Sequence, residues 1–142
     1  MKRSSYSGTP LAKKLGIKKG FNIRLVNAPV HYMSLFDELP LQVHFREEKK
    51  TGKNMIHYFA SNKQSLVKDI FLLRKEIVPN GMIWISWPKK ASKVKTDITE
   101  DIIRDIALQN GLVDIKVCSV DEVWSALKLV IPIAQRSTLN EK

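Results

Sequence analysis

The hydrophobic pattern of this chain is clearest in a short apolar segment at residues 81–87. Every residue from Met82 to Ile85 is apolar, which is typical of a strand covered on both faces, as in a parallel sheet. Pro88 follows the segment and cannot donate a hydrogen bond to a neighbouring strand, so the strand is expected to end there.

Two short segments in the first third of the chain predict short helices. Residues 9–16 carry Thr9 as a capping residue, Pro10 at the first helical position and Gly16 at the C-terminal cap. Residues 31–39 predict the second short helix, which is expected to end before a proline.

Two longer segments have the apolar spacing of amphipathic helices. The first is predicted to begin at Ser61, where Gln64 completes a capping box. The second is predicted to begin near Asp97, with Glu100 three residues later. The turns expected to end these helices are Pro79-Asn80-Gly81 and Asn110-Gly111. Their apolar faces are Leu66, Val67, Ile70, Phe71, Leu73, Arg74 and Ile77 in the first helix, and Ile98, Ile102, Ile103, Ile106 and Ala107 in the second.

Further strands are predicted on both sides of the central segment. They are residues 21–26, 41–46, 55–60, 114–120 and 124–133. The second and third of these flank a glycine-containing turn, so they are expected either to pair as a hairpin or to adopt a looser arrangement. The last two are joined by a short turn and are therefore expected to be antiparallel.

The order of these elements predicts an α/β fold. Alternating strands and helices indicate a mostly parallel, Rossmann-like three-layer sandwich with a C-terminal antiparallel strand. Residues 21–26, 82–87 and 114–120 are expected among its central strands. The whole chain, residues 1–142, is predicted to be one domain, with residues 1–8 and 135–142 frayed.

Composition places the protein among globular proteins of a reducing compartment. Its single cysteine, Cys118, excludes an internal disulfide and is expected to be a small core residue. No apolar segment is long enough to span a bilayer, and none follows residues 1–8 as a signal peptide would require. The chain is therefore predicted to be cytoplasmic, without a membrane partner.

The net charge is the one unusual feature of the composition. The formal net charge is +10, and no acidic residue precedes Asp37. This balance favours anionic partners such as nucleotides, phosphorylated metabolites or nucleic acid. The alternative interpretation is that the charge serves solubility alone.

A basic loop after the central strand is the predicted binding site. In parallel sheets, ligands bind outside the carboxyl ends of the strands, where this loop meets residues 27–31, residues 60–62 and the turn at residues 121–122. The loop also leads into a helix N-terminus, which attracts anions. Trp84 is expected in the core, whereas Trp87 could face the cleft. The predicted ligand-binding residues are Asn27, Ser86, Trp87, Lys89, Lys90, Ser92 and Thr96. The alternative is that the loop is only a solvated charged surface.

No catalytic residue, metal site or cofactor is predicted. The three histidines do not have metal-ligand spacing. His44 and His57 lie in predicted alternating strands and are expected at the surface or in cross-strand pairs. His31 alone falls in a loop at the ligand edge.

Several segments resemble a family of small bacterial proteins of unknown function. They are Tyr6-Ser7-Gly8-Thr9-Pro10-Leu11, Lys14-Leu15-Gly16-Ile17, Ser86-Trp87-Pro88-Lys89-Lys90, Gly111-Leu112-Val113-Asp114 and Trp124-Ser125-Ala126-Leu127-Lys128-Leu129-Val130. This resemblance implies an intact single domain and implies no particular activity.

The order of the elements is also similar to that of S-adenosylmethionine-dependent methyltransferases. That resemblance implies a glycine-rich loop after the first strand, through which the backbone approaches the cofactor. Here residues 27–31 contain no glycine, so the chain is predicted not to be a working methyltransferase.

The sequence as a whole predicts a non-enzymatic or regulatory module that binds a small anion or nucleotide at Lys89 and Lys90. One alternative is a degenerate methyltransferase-like enzyme that uses the same cleft, with His31 as a base. The other is a non-specific nucleic-acid binder, which would use the basic N-terminal segment beside Tyr6 to contact phosphates.

Overall fold

A computed structural model of the protein describes residues 9–140. The helices are α1 (Leu11–Leu15), α2 (Lys63–Glu76), α3 (Glu100–Gln109) and α4 (Ile133–Asn140), with 3₁₀ turns at Tyr32–Leu35 and Lys90–Ser92. The strands are β1 (Asn22–Val26), β2 (His44–Phe45), β3 (Lys53–Phe59), β4 (Ile77–Pro88), β5 (Val113–Ser119) and β6 (Trp124–Val130).

The described strands form one mixed sheet in the order β2-β1-β3-β4-β6-β5. Strands β1 to β4 pair in parallel, whereas β6 is antiparallel to both β4 and β5. The predicted α/β class, mostly parallel and Rossmann-like with antiparallel strands at the C-terminal end, is therefore confirmed.

Hydrophobic cores lie on both faces of the sheet. Ile83 and Ile85 of β4 pack on the face covered by α2 and α3, whereas Met82 and Trp84 pack on the face covered by α1. Trp84 is fully buried, and its indole nitrogen donates a hydrogen bond to the Leu15 carbonyl oxygen at 2.9 Å. The prediction that this segment is covered on both sides is confirmed.

The structure excludes the predicted hairpin between residues 41–46 and 55–60. Strand β1 lies between β2 and β3 and pairs in parallel with each, in the registers Asn22 with His44 and Ile23 with Met55. Ile23 is fully buried, so β1 is an interior strand. Strand β5 was predicted among the central strands, but it occupies the edge of the sheet because β6 inserts between it and β4.

The helix boundaries differ from the predicted ones because tertiary contacts compete for the capping groups. Helix α2 is capped by Asn62, which accepts from the Ser65 amide at 2.8 Å, and α3 is capped by Thr99. Asp97 was predicted to begin α3, but its carboxylate accepts from the Lys63 amide of α2 at 2.7 Å. Helix α2 also leaves Val67 exposed, so its buried face is narrower than predicted.

Three segments have a secondary structure that differs from the predicted one. The segment Pro79-Asn80-Gly81 lies inside β4, near the point where its register with β3 shifts, instead of ending a helix. Residues 31–39 contain only a 3₁₀ turn. The last strand ends at Val130, and the tail predicted to fray from Gln135 is helical to Asn140. The predicted fraying of residues 1–8 lies outside the described residues. No helix among residues 9–140 is long and apolar enough to cross a membrane.

Candidate functional site

The carboxyl ends of the parallel strands bring four connections together, as the sequence predicts. His31, after β1, places Nε2 3.2 Å from Asp121 Oδ2 in the β5–β6 turn. Thr96, after β4, donates from Oγ1 to the carbonyl oxygen of Ser61, after β3, at 2.7 Å. These contacts tie the connections together at the carboxyl edge of the sheet, which is where ligands bind in open α/β sheets.

A cavity of about 970 Å³ opens at this edge between the start of α2 and the loop that links β4 to α3. Its walls include four of the predicted residues, namely Trp87, Lys89, Lys90 and Thr96. They also include Asn62, Lys93, Lys95, Asp97, Thr99 and Glu100. We call this cavity the lysine pocket.

The remaining predicted residues lie outside the pocket wall. Ser92 donates from Oγ to the Lys89 carbonyl oxygen at 2.6 Å and accepts from the Val94 amide at 3.3 Å, so it shapes the loop. Ser86 is fully buried and bonds to His57, so its side chain belongs to the core. Asn27 is exposed at the end of β1.

Asn27 makes the turn after β1 in the left-handed conformation, with φ 58°. Glycine usually serves such positions, although asparagine adopts them more readily than most residues. The chain therefore turns sharply after β1 without a glycine. The residue that replaces it carries a side chain, which limits how closely a ligand can approach the backbone there.

Acidic residues in the pocket wall already have partners. The Asp97 carboxylate accepts the first α2 amide, as described above, and Glu100 forms an ion pair with Arg104. Acidic residues at the start of a helix weaken its attraction for an anion. Arg104 compensates the charge of Glu100, whereas the Asp97 carboxylate keeps its charge because its partner is a neutral amide; with four lysines in the same wall, the formal charge of the pocket is still positive.

Lys89 has a defined position at the pocket mouth. Its Nζ donates to the Ser119 Oγ at the end of β5, at a distance of 2.7 Å. Its backbone amide donates to the Val123 carbonyl oxygen at 2.7 Å. The base of the loop is therefore tied to the β5–β6 hairpin, which holds the following lysines at the carboxyl edge.

Sequence reasoning missed a buried polar network behind this edge. His57 is fully buried, with Nδ1 3.0 Å from the Tyr32 hydroxyl and Nε2 2.7 Å from Ser86 Oγ. The predicted surface position of His57 is wrong, because β3 is covered on both faces, whereas the alternative of a cross-strand contact agrees with its bond to Ser86 on the neighbouring strand β4. The continuous apolar segment around it, residues 55–60, was the available signal.

An aromatic cluster surrounds this network and fills the sheet face beside the end of β1. The Phe59 ring stacks on His57 with centroids 4.3 Å apart, and Tyr32 meets Phe59 edge-on at 5.8 Å. Phe36 packs edge-on against Tyr32 at 5.3 Å. Burial raises the pKa of the Tyr32 hydroxyl.

Acid is expected to destabilise the protein through His57. Burial lowers the pKa of His57 from 6.5 to about 3, so its stabilising effect is complete above pH 6.5 and is lost as the pH falls toward 3. Within that window the loss is about 1.4 kcal/mol per pH unit. We expect the free energy of unfolding of His57→Gln, measured with urea at several pH values, to fall less steeply than that of the wild type as the pH drops below 6.5.

The matched control for this experiment is His44→Gln, because His44 is exposed on β2. That variant should keep the pH dependence of the wild type. Parallel stability curves for the wild type and His57→Gln would contradict the assignment.

Comparison with known proteins identifies structures of the same fold, and it finds no match by sequence. No protein-family model matches the chain, and no curated protein matches it. The resemblance to a small bacterial family is therefore unsupported. Solved structures do match, and three are described here.

A S-adenosylmethionine-dependent methyltransferase from Aquifex aeolicus matches with a TM-score of 0.60 and 14% identity, over 86% of this chain and 88% of that one. A TehB-like S-adenosylmethionine-dependent methyltransferase from Corynebacterium glutamicum matches with a TM-score of 0.57 and 10% identity, over 91% of this chain and 92% of that one. The O-methyltransferase NcsB1, solved with S-adenosylmethionine, matches with a TM-score of 0.58 and 10% identity, over 80% of this chain and 49% of that one.

The chain has a methyltransferase-like fold. The predicted similarity of element order is thus confirmed at the level of fold. The residues after β1 do not fit the cofactor of such enzymes, since Asn27 replaces a glycine and Tyr32 is held against His57.

Proposed function

We propose that this protein is a degenerate methyltransferase-like protein that binds a small anionic ligand, such as a nucleotide, in the lysine pocket. The observation that carries the proposal is the pocket itself, which gathers four lysines and one tryptophan at the carboxyl edge of the sheet. In open α/β sheets, this edge is where ligands bind.

Two helix N-termini strengthen the attraction of the pocket for an anion. The capping residues of α2 and α3, Asn62 and Thr99, both line it. Each N-terminus carries about half a positive charge in the helix dipole, which favours an anion in the pocket, although the Asp97 carboxylate already accepts the first α2 amide and Glu100 lies in the first turn of α3. Trp87 adds an aromatic wall against which a base or another ring can stack.

The same charges disfavour S-adenosylmethionine. Its sulfonium and ammonium groups are both positive, and the lysines of the pocket would repel them. At the other candidate position, the end of β1, the backbone is less accessible and the aromatic cluster occupies the sheet face. The fold is therefore methyltransferase-like, while the proposed ligand is a different one.

A thermal-shift screen tests the proposal. Nucleotides and phosphorylated metabolites are tested one by one against the wild type and the Lys89→Ala/Lys90→Ala variant. At least one is expected to raise the melting temperature of the wild type. A ligand that binds only the folded state adds about 2.7 kcal/mol to the free energy of unfolding when its concentration is 100 times the Kd. The double variant should lose this shift.

The control is Lys49→Ala/Lys50→Ala, which removes the same charge from two exposed lysines outside the pocket. It should keep the shift. If no anion stabilises the wild type, or if both double variants respond as the wild type does, the lysine pocket is not the site.

A second candidate function is catalysis at the same edge, with His31 as a base. The observation that favours it is the contact with Asp121, whose Oδ1 is itself fixed by the amides of Val123 and Trp124 at 2.9 and 2.8 Å. A carboxylate held in this way can orient an imidazole for proton transfer. Mass spectrometry of the stabilising ligand after incubation tests it, and a ligand recovered unchanged would remove it.

A further inference from the structure

A second group of lysines lies on the sheet face that packs against α1. Lys116 of β5 and Lys128 of β6 are directly opposite each other in the antiparallel register. Lys128 lies between Ala126 and Val130, whose side chains belong to the α1-side core. Since side chains alternate along a strand, Lys128 points to the same face.

Two lysines from the α1 region complete this group. The positive charges of Lys18 and Lys116 both act on Lys128, where burial and these two neighbours lower its pKa. Lys14 and Lys116 in turn both act on the Cys118 thiol, which lies on the same face. We call Lys14, Lys18, Lys116 and Lys128 the lysine face.

The lysine face is not neutralised from within. Every ion pair among the described residues uses an arginine or a histidine, and none uses a lysine. Asp114, the acid nearest along β5, is bound to Arg104. Like charges placed directly opposite on neighbouring strands destabilise a sheet, so the arrangement favours an external anionic partner.

The side chains on this face determine the kind of partner. Val117, a large apolar side chain that β5 exposes, pairs with Leu127 and therefore lies on the opposite face of the sheet. The apolar residues of β5 and β6 that share a face with Lys116 and Lys128 are packed into the α1-side core, namely Val113, Cys118, Ala126 and Val130, so these strands present neither an apolar anchor for a bilayer nor a ring for stacking single-stranded bases beside the lysines. Lysines without these groups suit a regular array of phosphates.

We propose that the lysine face binds the phosphate backbone of double-stranded nucleic acid without reading its sequence. The duplex carries one negative charge about every 1.7 Å of its axis, which is the densest regular phosphate array available to four clustered amines. This surface is separate from the lysine pocket, and the inference does not depend on the proposed ligand.

Fluorescence anisotropy with a labelled DNA duplex of random sequence, over a range of salt concentrations, tests the inference. We expect the full chain to bind at about 50 mM salt and to weaken steeply as salt rises. For Lys116→Gln/Lys128→Gln, the slope of log affinity against log salt should fall by about 2, which is a loss of about 60-fold at 0.1 M salt.

Two further variants make the result interpretable. Lys14→Gln/Lys18→Gln removes the same charge from the α1 side without altering the sheet, and it should reduce the slope equally. Lys49→Gln/Lys50→Gln removes the same charge from two exposed lysines outside both the lysine face and the lysine pocket, and the slope should stay at the wild-type value. Circular dichroism confirms that each variant is folded.

Three outcomes would overturn the inference. They are no binding of the duplex by the wild type at low salt, an equal loss in Lys49→Gln/Lys50→Gln, or binding to vesicles of phosphatidylserine and phosphatidylcholine with none to the duplex. The second would show that net charge alone is responsible, and the third would assign the face to a membrane surface.

Discussion

Replacing Arg24 with leucine is expected to lower the free energy of unfolding by about 3–5 kcal/mol. Arg24 Nη1 lies 2.6 Å from Glu76 Oε2, and the two side chains are only 11% and 6% exposed. The substitution leaves the Glu76 carboxylate buried without its cation. Its other oxygen, Oε1, already has no hydrogen-bond partner among the described residues.

The pair also connects distant parts of the fold, because Arg24 is on β1 and Glu76 is the last residue of α2. Urea unfolding of the single variant and of Arg24→Leu/Glu76→Leu measures the effect. The double variant should recover most of the loss, since it removes both charges. Arg46→Leu, at an exposed arginine, is the control and should have a small effect. Equal losses in the single and double variants would contradict this account.

Replacing Trp84 with alanine is expected to destabilise the protein by a similar amount, about 3–5 kcal/mol. Trp84 is fully buried on the α1 side of β4. The substitution opens a cavity in that core and leaves the Leu15 carbonyl oxygen without the indole donor. Helix α1 has only five residues, so it depends on such contacts with the sheet.

Thermal or urea unfolding monitored by circular dichroism checks this prediction. Trp84→Phe keeps most of the apolar volume and loses the hydrogen bond, so its effect should be clearly smaller. Trp87→Ala is the matched control, because Trp87 is only partly buried beside the lysine pocket. A loss in Trp87→Ala as large as in Trp84→Ala would contradict the assignment of Trp84 to the core.

The fold class could be predicted because the apolar pattern of a covered strand is local. Four consecutive apolar residues at Met82–Ile85 required cover on both faces, and the flanking helices α2 and α3 supply it on one face while α1 supplies it on the other. The C-terminal cap at Gly16 was also predictable, since φ there is 79° and glycine adopts that conformation freely. The antiparallel pairing of β5 and β6 followed from the short turn between them.

Strand order could not be predicted in the same way, because it depends on contacts between distant segments. The glycine-containing turn before β3 suggested a hairpin, yet β1 lies between the two strands it joins. Competition for polar groups explains the helix boundaries. Asp97 is a good capping residue for α3, but it accepts the Lys63 amide of α2 instead.

The candidate site was predictable in position and less so in composition. Trp87, Lys89 and Lys90 line the pocket because they lie at or directly after the end of β4, at the carboxyl edge of the parallel strands. Ser86 is one residue earlier and already belongs to the buried network. His57 was expected at the surface or in a cross-strand pair because alternation was assumed for β3, and only the surface alternative is excluded by its burial.

Nuclear magnetic resonance titration of the nitrogen-15-labelled protein tests the central claim most directly. ADP supplies phosphates and a base, whereas S-adenosylhomocysteine probes the cofactor position of a working methyltransferase. We expect ADP to shift the amide resonances of residues 61–62 and 87–100 and to leave those of residues 27–31 unchanged, while S-adenosylhomocysteine shifts neither group. Saturable shifts of residues 27–31 with S-adenosylhomocysteine, together with no response of the lysine pocket to ADP, would contradict that claim.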